Sequence, residues 1–484
     1  MINKKVLRGV QGGGFSKEPP WPPEAKKNTP IYSGASPEQV AKDLKPLVEF
    51  QDEGLSFEAL SDLIDHRLVP HLMKYDRSGF QSMFNAIPEK GAELGAQIAL
   101  AFNQGVTNWQ VSPGGAMLEE LCCKALCKLF GLPPEADATF MYCGTYANQE
   151  ALYLALHRKA EECGFDLEEK GLMGFADPGR LTVLTSEDAH FSVKQAVHML
   201  GLGERNLVSL AVDKNRRIDM KHAERAISEL QKTRDIFCVV LTAGTTSTGT
   251  VDPILPMVKI SRRLGAWLHV DGAYGLAYSL VPEWKQLFAG IEQADSVSWD
   301  PHKQMAVPIP NSLLFVNNKA DFYRITLYGH YFNREEDAGA APNPGLKSPP
   351  TTRPLTALSL VASIRYQGLK GVIERLRAPL TAIRALAEHL EKEADIQLAH
   401  APDTGILCFR IRPEDVPENR LNDLQEYVYR KILSEGKRSI SISKLGNKTV
   451  LRLVAVSPSL TIDALLETIA NIRTIGAEYL KKTC

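Results

Sequence analysis

Two hydrophobic periods alternate along the middle of the chain. Residues 139–142, 180–185, 235–241, 266–270 and 296–299 are nearly continuous runs of apolar and β-branched residues, as expected of strands buried on both faces. Between them, apolar residues recur three and four apart, as in Leu118, Leu121, Cys122, Ala125, Leu126 and Leu129, which predicts helices. Strands alternating with helices from about residue 90 to 320 predict an α/β domain with a largely parallel sheet. Beyond it, 372–393 reads as a long amphipathic helix, 405–411 and 449–455 as strands, and 423–434 and 462–480 as helices. That is a small α+β domain, expected to buttress a site rather than carry chemistry. Residues 37–89 are helical in pattern, with Ser36 as N-cap and Pro37 in the first turn. They hold too few apolar residues for a core of their own. Residues 1–36, rich in Gly, Pro and Lys, predict an extended or disordered arm. The expected divisions are therefore 1–36, 37–89, 90–368 and 369–484.

Composition narrows the function classes. The 484 residues include 56 basic and 57 acidic ones, so nothing points to a nucleic-acid partner. No apolar run reaches the roughly 18 residues needed to span a bilayer, and the N-terminus lacks the apolar stretch of a signal peptide. Eight cysteines are too sparse for a disulfide scaffold and read as free thiols in a reducing cytoplasm. Cys122, Cys123 and Cys127 lie within one helical pattern with no nearby histidine or second cysteine pair, so no metal site is expected there.

The chemistry-bearing residues fall just past the predicted strands, where open α/β sheets place their ligands. The first strand leads through Gly144 and Thr145 into a helix; free N–H groups at such a start form an anion site, although ordinary capping explains a lone Gly-Thr pair equally well. The next strands lead to His190, to the hydroxyl-rich loop containing Thr246, and to Asp271 followed by Ala273. A carboxylate at a buried strand end is costly unless it faces a cation or a donor. The strand 296–299 is broken by Asp300-Pro301 and delivers His302 and Lys303. Singly, Lys303 reads as a solvated loop lysine. Together these groups supply what pyridoxal 5'-phosphate needs: an amine for its aldehyde (Lys303), a carboxylate for its pyridine nitrogen (Asp271), a flat side chain over one ring face (His190), a small residue under the other (Ala273), and a phosphate cradle (Gly144, Thr145, His302).

Glu187-Asp188-Ala189-His190, Thr242-Ala243-Gly244-Thr245-Thr246, His269-Val270-Asp271-Gly272-Ala273 and Asp300-Pro301-His302-Lys303 resemble group II pyridoxal-phosphate-dependent amino acid decarboxylases. That family includes the glutamate, cysteine-sulfinate and aromatic amino acid decarboxylases. The resemblance runs over roughly 90–380 and weakly to the segment around Lys448 to Arg452. It implies the aspartate-aminotransferase-like fold (fold type I), a homodimer with residues 37–89 at its interface, and decarboxylation of an L-amino acid. The stretch before Lys303 is closer to the glutamate and cysteine-sulfinate branch, so an acidic substrate (glutamate, aspartate or cysteine sulfinate) is slightly favoured over an aromatic one. Pro308-Ile309-Pro310 resembles instead the archaeal tyrosine/aspartate decarboxylases.

Two departures stand out. Asp300 occupies a position where the first two branches usually carry asparagine. The segment 333–347, matching a lid that usually carries a proton-donating tyrosine, has none; Tyr328 and Tyr331 precede it and are either core, hinge or catalytic. Without that donor, reaction with oxygen would give an aldehyde by oxidative deamination. A non-catalytic scaffold subunit is the remaining alternative, against which the intact Lys303, Asp271 and His190 argue. For substrate binding the resemblance points to Trp109, Arg353 and Tyr331. Arg353 suits a carboxylate or else a surface ion pair, and Trp109 suits a pocket wall or interface packing.

Overall fold

The structure, a computed structural model, describes residues 30–328, 341–414 and 416–483. The chain divides after Met73 into two compact units. In the first, α1 (Pro37–Leu44) begins at Ser36, whose hydroxyl accepts the Gln39 N–H at 3.3 Å. Likewise α2 (Phe57–Arg67) begins at Ser56, which accepts from the Ala59 N–H at 3.1 Å. Neither helix fully buries a residue, consistent with the sparse apolar content of the segment.

The second unit opens with α3 (Lys90–Phe102) and the cysteine-bearing α4 (Pro113–Leu129). It is built on a seven-stranded sheet of β1 (Asp137–Met141), β2 (Leu181–Ser186), β3 (Leu207–Leu210), β4 (Asp235–Thr242), β5 (Trp267–Asp271), β6 (Ser296–Trp299) and β7 (Ser312–Val316). Their order is β1-β7-β6-β5-β4-β2-β3. Only β7 runs against its neighbours; β1 is thereby aligned with β6, and the six other strands end at the same edge. The helices α5 (Gly144–Glu162), α6 (Phe191–Met199), α7 (Met220–Leu230) and α8 (Ile254–Leu264) connect the strands. Strands β1, β2, β5 and β6 are buried at every position, which explains why their sequences show no alternation. Edge-to-face contacts of Phe130 with Trp299 (5.1 Å) and Phe315 (5.7 Å) pack against the β6–β7 pair.

Two strands escape the sequence pattern. β3 is short and only half-buried. β7 lies close behind the proline-rich turn at 308–310, which obscures its start. The long helix differs as well: α9 (Ala357–Leu390) begins fifteen residues before the expected 372 and is interrupted at Gly368 (φ 66°, ψ 162°). Glycine alone adopts that conformation freely, and it falls at the expected 368/369 division. C-terminal to it, β8 (Ile396–Leu398), β9 (Ile406–Ile411), β10 (Ser441–Leu445) and β11 (Lys448–Val454) form an antiparallel sheet ordered β10-β11-β9-β8. Its core is shared with α10 (Glu418–Glu435) and α11 (Ile462–Thr483), through Leu407, Phe409, Leu424 and Ile472.

Candidate active site

The aligned strand ends open on one cleft of about 490 Å³, its open mouth included. Eight of the expected site residues line it: Gly144, Thr145, His190, Thr246, Asp271, Ala273, Asp300 and Lys303. Each arrives by the local route read from the sequence. β1 hands over to Gly144 at the first position of α5, and β5 ends on Asp271. His190 is the N-cap of α6, its Nδ1 accepting the Ser192 N–H at 3.2 Å.

Asp271 is held from three sides. Its Oδ2 accepts from Asn148 Nδ2 at 2.7 Å, while Oδ1 accepts from Ser298 Oγ at 3.2 Å and the Ala273 N–H at 3.1 Å. Asn148, on the first turns of α5, joins this carboxylate to the rest of the floor. Its amide also donates to Ser192 Oγ (2.9 Å), and its carbonyl accepts from Ser298 Oγ and His269 Nε2, both at 3.0 Å. Because an amide oxygen only accepts, His269 carries its proton on Nε2, and Nδ1 takes the bond from Ser296 Oγ at 2.8 Å. Burial lowers the His269 imidazole to about 4, keeping it neutral. Ser192 Oγ lies 2.8 Å from His190 Nδ1, so both known partners of His190 sit on Nδ1 and its proton is placed on Nε2. Burial foremost, with Lys303 adding to it, lowers the His190 imidazole from its ordinary value.

Lys303 Nζ is 3.0 Å from Asp300 Oδ2 and lies 5.4 Å above the centre of the Phe84 ring. The guanidinium of Arg452 approaches the same ring at 5.2 Å. Arg452 is buried; its Nη1 donates to Ser441 Oγ at 2.8 Å and to the Ser82 carbonyl at 3.3 Å, whereas Nε and Nη2 have no hydrogen-bond partner among the described residues.

Not every expected residue reaches the cleft. His302 lines no part of the cleft, its Nδ1 lying 2.7 Å from the Asn311 carbonyl and its Nε2 3.7 Å from Asp300 Oδ2. Trp109 is 43% exposed and lines no part of the cleft. Arg353 lies neither at the surface nor free for a substrate: it is buried, ion-paired with the buried Glu119, and its Nη1 donates to Thr139 Oγ1 (3.0 Å) and Ser348 Oγ (2.6 Å). Tyr328 borders a separate surface cleft with Glu120 and Lys347, and Tyr331 lies outside the described residues. Conversely, Asn148 and Ser192 line the cleft, Ser298 and Phe84 contact residues that line it, and Arg452 lies against Phe84, although the sequence singled out none of them as a site residue. Only the hydroxyls and amides recurring in 144–148 and 296–298 hint at a polar floor.

The donor set fits pyridoxal phosphate. A lysine amine and a thrice-bonded carboxylate share the cleft, an imidazole borders it, and the first turn of α5 offers free N–H groups beside the Thr145 hydroxyl. A side chain on Gly144 would strike Asp300 Oδ2 at 2.9 Å and Ala273 Cβ at 3.1 Å, so close approach there requires glycine. Residues 37–412 match the family model of the pyridoxal-dependent decarboxylase conserved domain. An L-2,4-diaminobutyrate decarboxylase of Rhizobium meliloti (strain 1021) is 30% identical over 388 residues, covering 78% of this chain and 74% of that protein. The mouse acidic amino acid decarboxylase GADL1 is 26% identical over 461 residues, covering 92% and 82%. The crystal structure of mouse CSAD superposes with a TM-score of 0.85 at 23% identity, over 93% of this chain and 94% of that one, which shows the common fold. The chain belongs to the pyridoxal-dependent decarboxylase family and is a pyridoxal-phosphate-dependent carboxy-lyase acting on an amino acid.

Proposed function

We propose that this chain removes the α-carboxylate of an L-amino acid with a short polar side chain, giving the amine and CO2. The observation that carries this reading is the convergence of Lys303, Asp271 and His190 on one cleft. When bound, pyridoxal phosphate supplies an aldehyde for an amino group and a ring that withdraws the electron pair left as CO2 departs. Lys303 is the amine that would join that aldehyde and give way to the substrate's amino group. Asp271, fixed by Asn148, Ser298 and the Ala273 N–H, would hold the proton of the pyridine nitrogen in place. His190 would cover a ring face and present the proton on its Nε2; in a chain whose 333–347 segment has no tyrosine, it is the proton source we propose for the reacting carbon. Arg452, whose Nε and Nη2 have no hydrogen-bond partner among the described residues and which lies against the Phe84 ring that Lys303 also approaches rather than in the cleft lining itself, is the carboxylate anchor we propose. Arg353 is already committed to Glu119.

Acidic substrates are the first choice, supported by the likeness to mouse GADL1. A second reading is 2,4-diaminobutyrate. It is favoured because the relative at 30% identity bears that name and Arg353, expected as a carboxylate ligand, is engaged elsewhere. A CO2-release screen over glutamate, aspartate, cysteine sulfinate, 2,4-diaminobutyrate and tyrosine separates them, with peroxide and ammonia measured alongside to detect an aldehyde-forming oxidase. Release from tyrosine alone would overturn the polar-substrate reading. Arg452→Lys is expected to raise KM more than it lowers kcat; the reverse split would remove Arg452 from substrate binding.

The chain is further proposed to act as a homodimer. Leu94, Leu100 and Phe102 on α3 and Met117 and Leu121 on α4 are exposed large apolar side chains of the kind interfaces cover. Sedimentation at monomer mass would refute it. A cytoplasmic location is supported by the seven described cysteines, all free, and cell fractionation tests it.

A further inference from the structure

We propose that Asp300 sets how tightly this chain retains its cofactor: its carboxylate pairs with Lys303 in the unloaded site and opposes the phosphate group in the loaded one. The inference rests on the site taking pyridoxal phosphate with its phosphate at the start of α5.

Asp300 stands directly beyond β6, its side chain only 4% exposed. Oδ2 lies 3.0 Å from Lys303 Nζ and 3.7 Å from His302 Nε2. Oδ1 is buried and has no hydrogen-bond partner among the described residues. Both oxygens come within 3.1 Å of the point where a Cβ on Gly144 would sit, so the carboxylate is pressed against the first residue of α5. Helix α5 is 19 residues long, and its first-turn N–H groups form the anion cradle. Asp300 therefore places an anion beside the place where a second anion must lie.

Four positions bear on its charge: Lys303, His302, Asp271 and His190, whose imidazole is held below its ordinary value by burial. Lys303 neutralises it by direct contact at 3.0 Å, a contact that would be given up if the lysine amine were to join the cofactor aldehyde. His302 is a poor replacement. Its Nδ1 is 2.7 Å from the Asn311 carbonyl, which holds the ring proton there, so the neutral ring turns a bare Nε2 toward Asp300. Asp271, the other carboxylate of the cleft, is engaged by Asn148, Ser298 and the Ala273 N–H. Loading the site would thus disturb the Lys303 contact of Asp300 for either ligand and add phosphate charge nearby for pyridoxal phosphate alone, so the larger part of the penalty falls on the phosphate-bearing ligand.

The test is the affinity of the full-length apo chain for pyridoxal 5'-phosphate and for pyridoxal, read by quenching of intrinsic fluorescence. Asp300→Asn keeps the shape and removes the charge; Asp300→Ser removes the charge without adding an amide donor. In both variants Kd for pyridoxal phosphate should fall tenfold or more, with a gain for pyridoxal at least threefold smaller. An unchanged or weakened affinity for pyridoxal phosphate would overturn the inference, as would an equal gain for pyridoxal. A gain confined to the asparagine variant would assign the effect to a new hydrogen bond and overturn it too. Failure of the wild-type chain to bind pyridoxal phosphate saturably would instead sink the reading of the site, and this inference with it.

Discussion

Replacing Asn148 by alanine removes the group that ties the floor of the cleft together. Four hydrogen bonds disappear: to Asp271 Oδ2, to Ser192 Oγ, from Ser298 Oγ and from His269 Nε2. Two of the partners keep other bonds, since Ser298 Oγ still reaches Asp271 Oδ1 and Ser192 Oγ still reaches His190. The buried His269 Nε2–H and Asp271 Oδ2 keep no side-chain partner among the described residues. Each buried polar group left unsatisfied costs about 1–3 kcal/mol, and the lost side-chain volume adds a cavity term. The expected destabilisation is roughly 3–6 kcal/mol. Urea denaturation of the apo chain measures it, with an unchanged m-value confirming that the folded state is compared with a similar unfolded one. The same variant should bind pyridoxal phosphate more weakly, because Asp271 loses its shortest hydrogen bond. Asn148→Asp keeps the shape but sets a carboxylate oxygen 2.7 Å from Asp271 Oδ2, and should be at least as damaging. A loss below about 1 kcal/mol with unchanged cofactor affinity would refute the role given to Asn148.

Arg353→Met strands Glu119 without its cation in the interior and should cost about 3–5 kcal/mol. Adding Glu119→Gln should recover much of that loss in urea denaturation, and a single variant as stable as wild type would show the pair to be dispensable. The pH dependence of stability has two opposing parts. Burial lowers His269 from 6.5 to about 4, so the unfolded chain binds the extra proton in that window and stability falls as pH drops through it, by roughly 3 kcal/mol. A flatter acid limb in His269→Gln checks this, and an unaltered limb contradicts it. Burial raises Asp252 from 3.8 to about 7, so the folded chain binds the extra proton and stability falls as pH rises from about 4 to 7. Asp252→Asn should remove that decline in thermal melts, and a decline that persists would contradict the assignment.

Much of the fold was legible because buried parallel strands are written as unbroken apolar runs. β6 spans the same residues in sequence pattern and structure, and β1, β2, β4 and β5 differ by a residue or two at their ends. β3 and β7 were not legible, one being half-buried and the other following a proline turn. At the site, the strand-end positions of Asp271, Ala273 and Lys303 were legible, and the structure brings all three to one cleft; the roles expected of them came from their convergence and from the family resemblance, not from position alone. Asn148 and Ser192 were not. They matter through bonds to each other and to Asp271 across 44 and 123 residues of chain, a pairing that no local pattern records. Arg353 misled because a buried arginine and a ligand-binding one look alike in sequence; only Glu119, 234 residues away, distinguishes them. Arg452 was masked for the same reason, its unpaired nitrogens being visible only in the packed structure.

The attachment of the cofactor to Lys303 is the step on which the rest depends. Borohydride reduction of the loaded protein, followed by peptide mass mapping, reads it directly. The expected result is a single reduced pyridoxyl-phosphate adduct on Lys303 that is absent from Lys303→Ala; an adduct on another lysine, or an unmodified Lys303 in protein that has bound cofactor, would contradict the account.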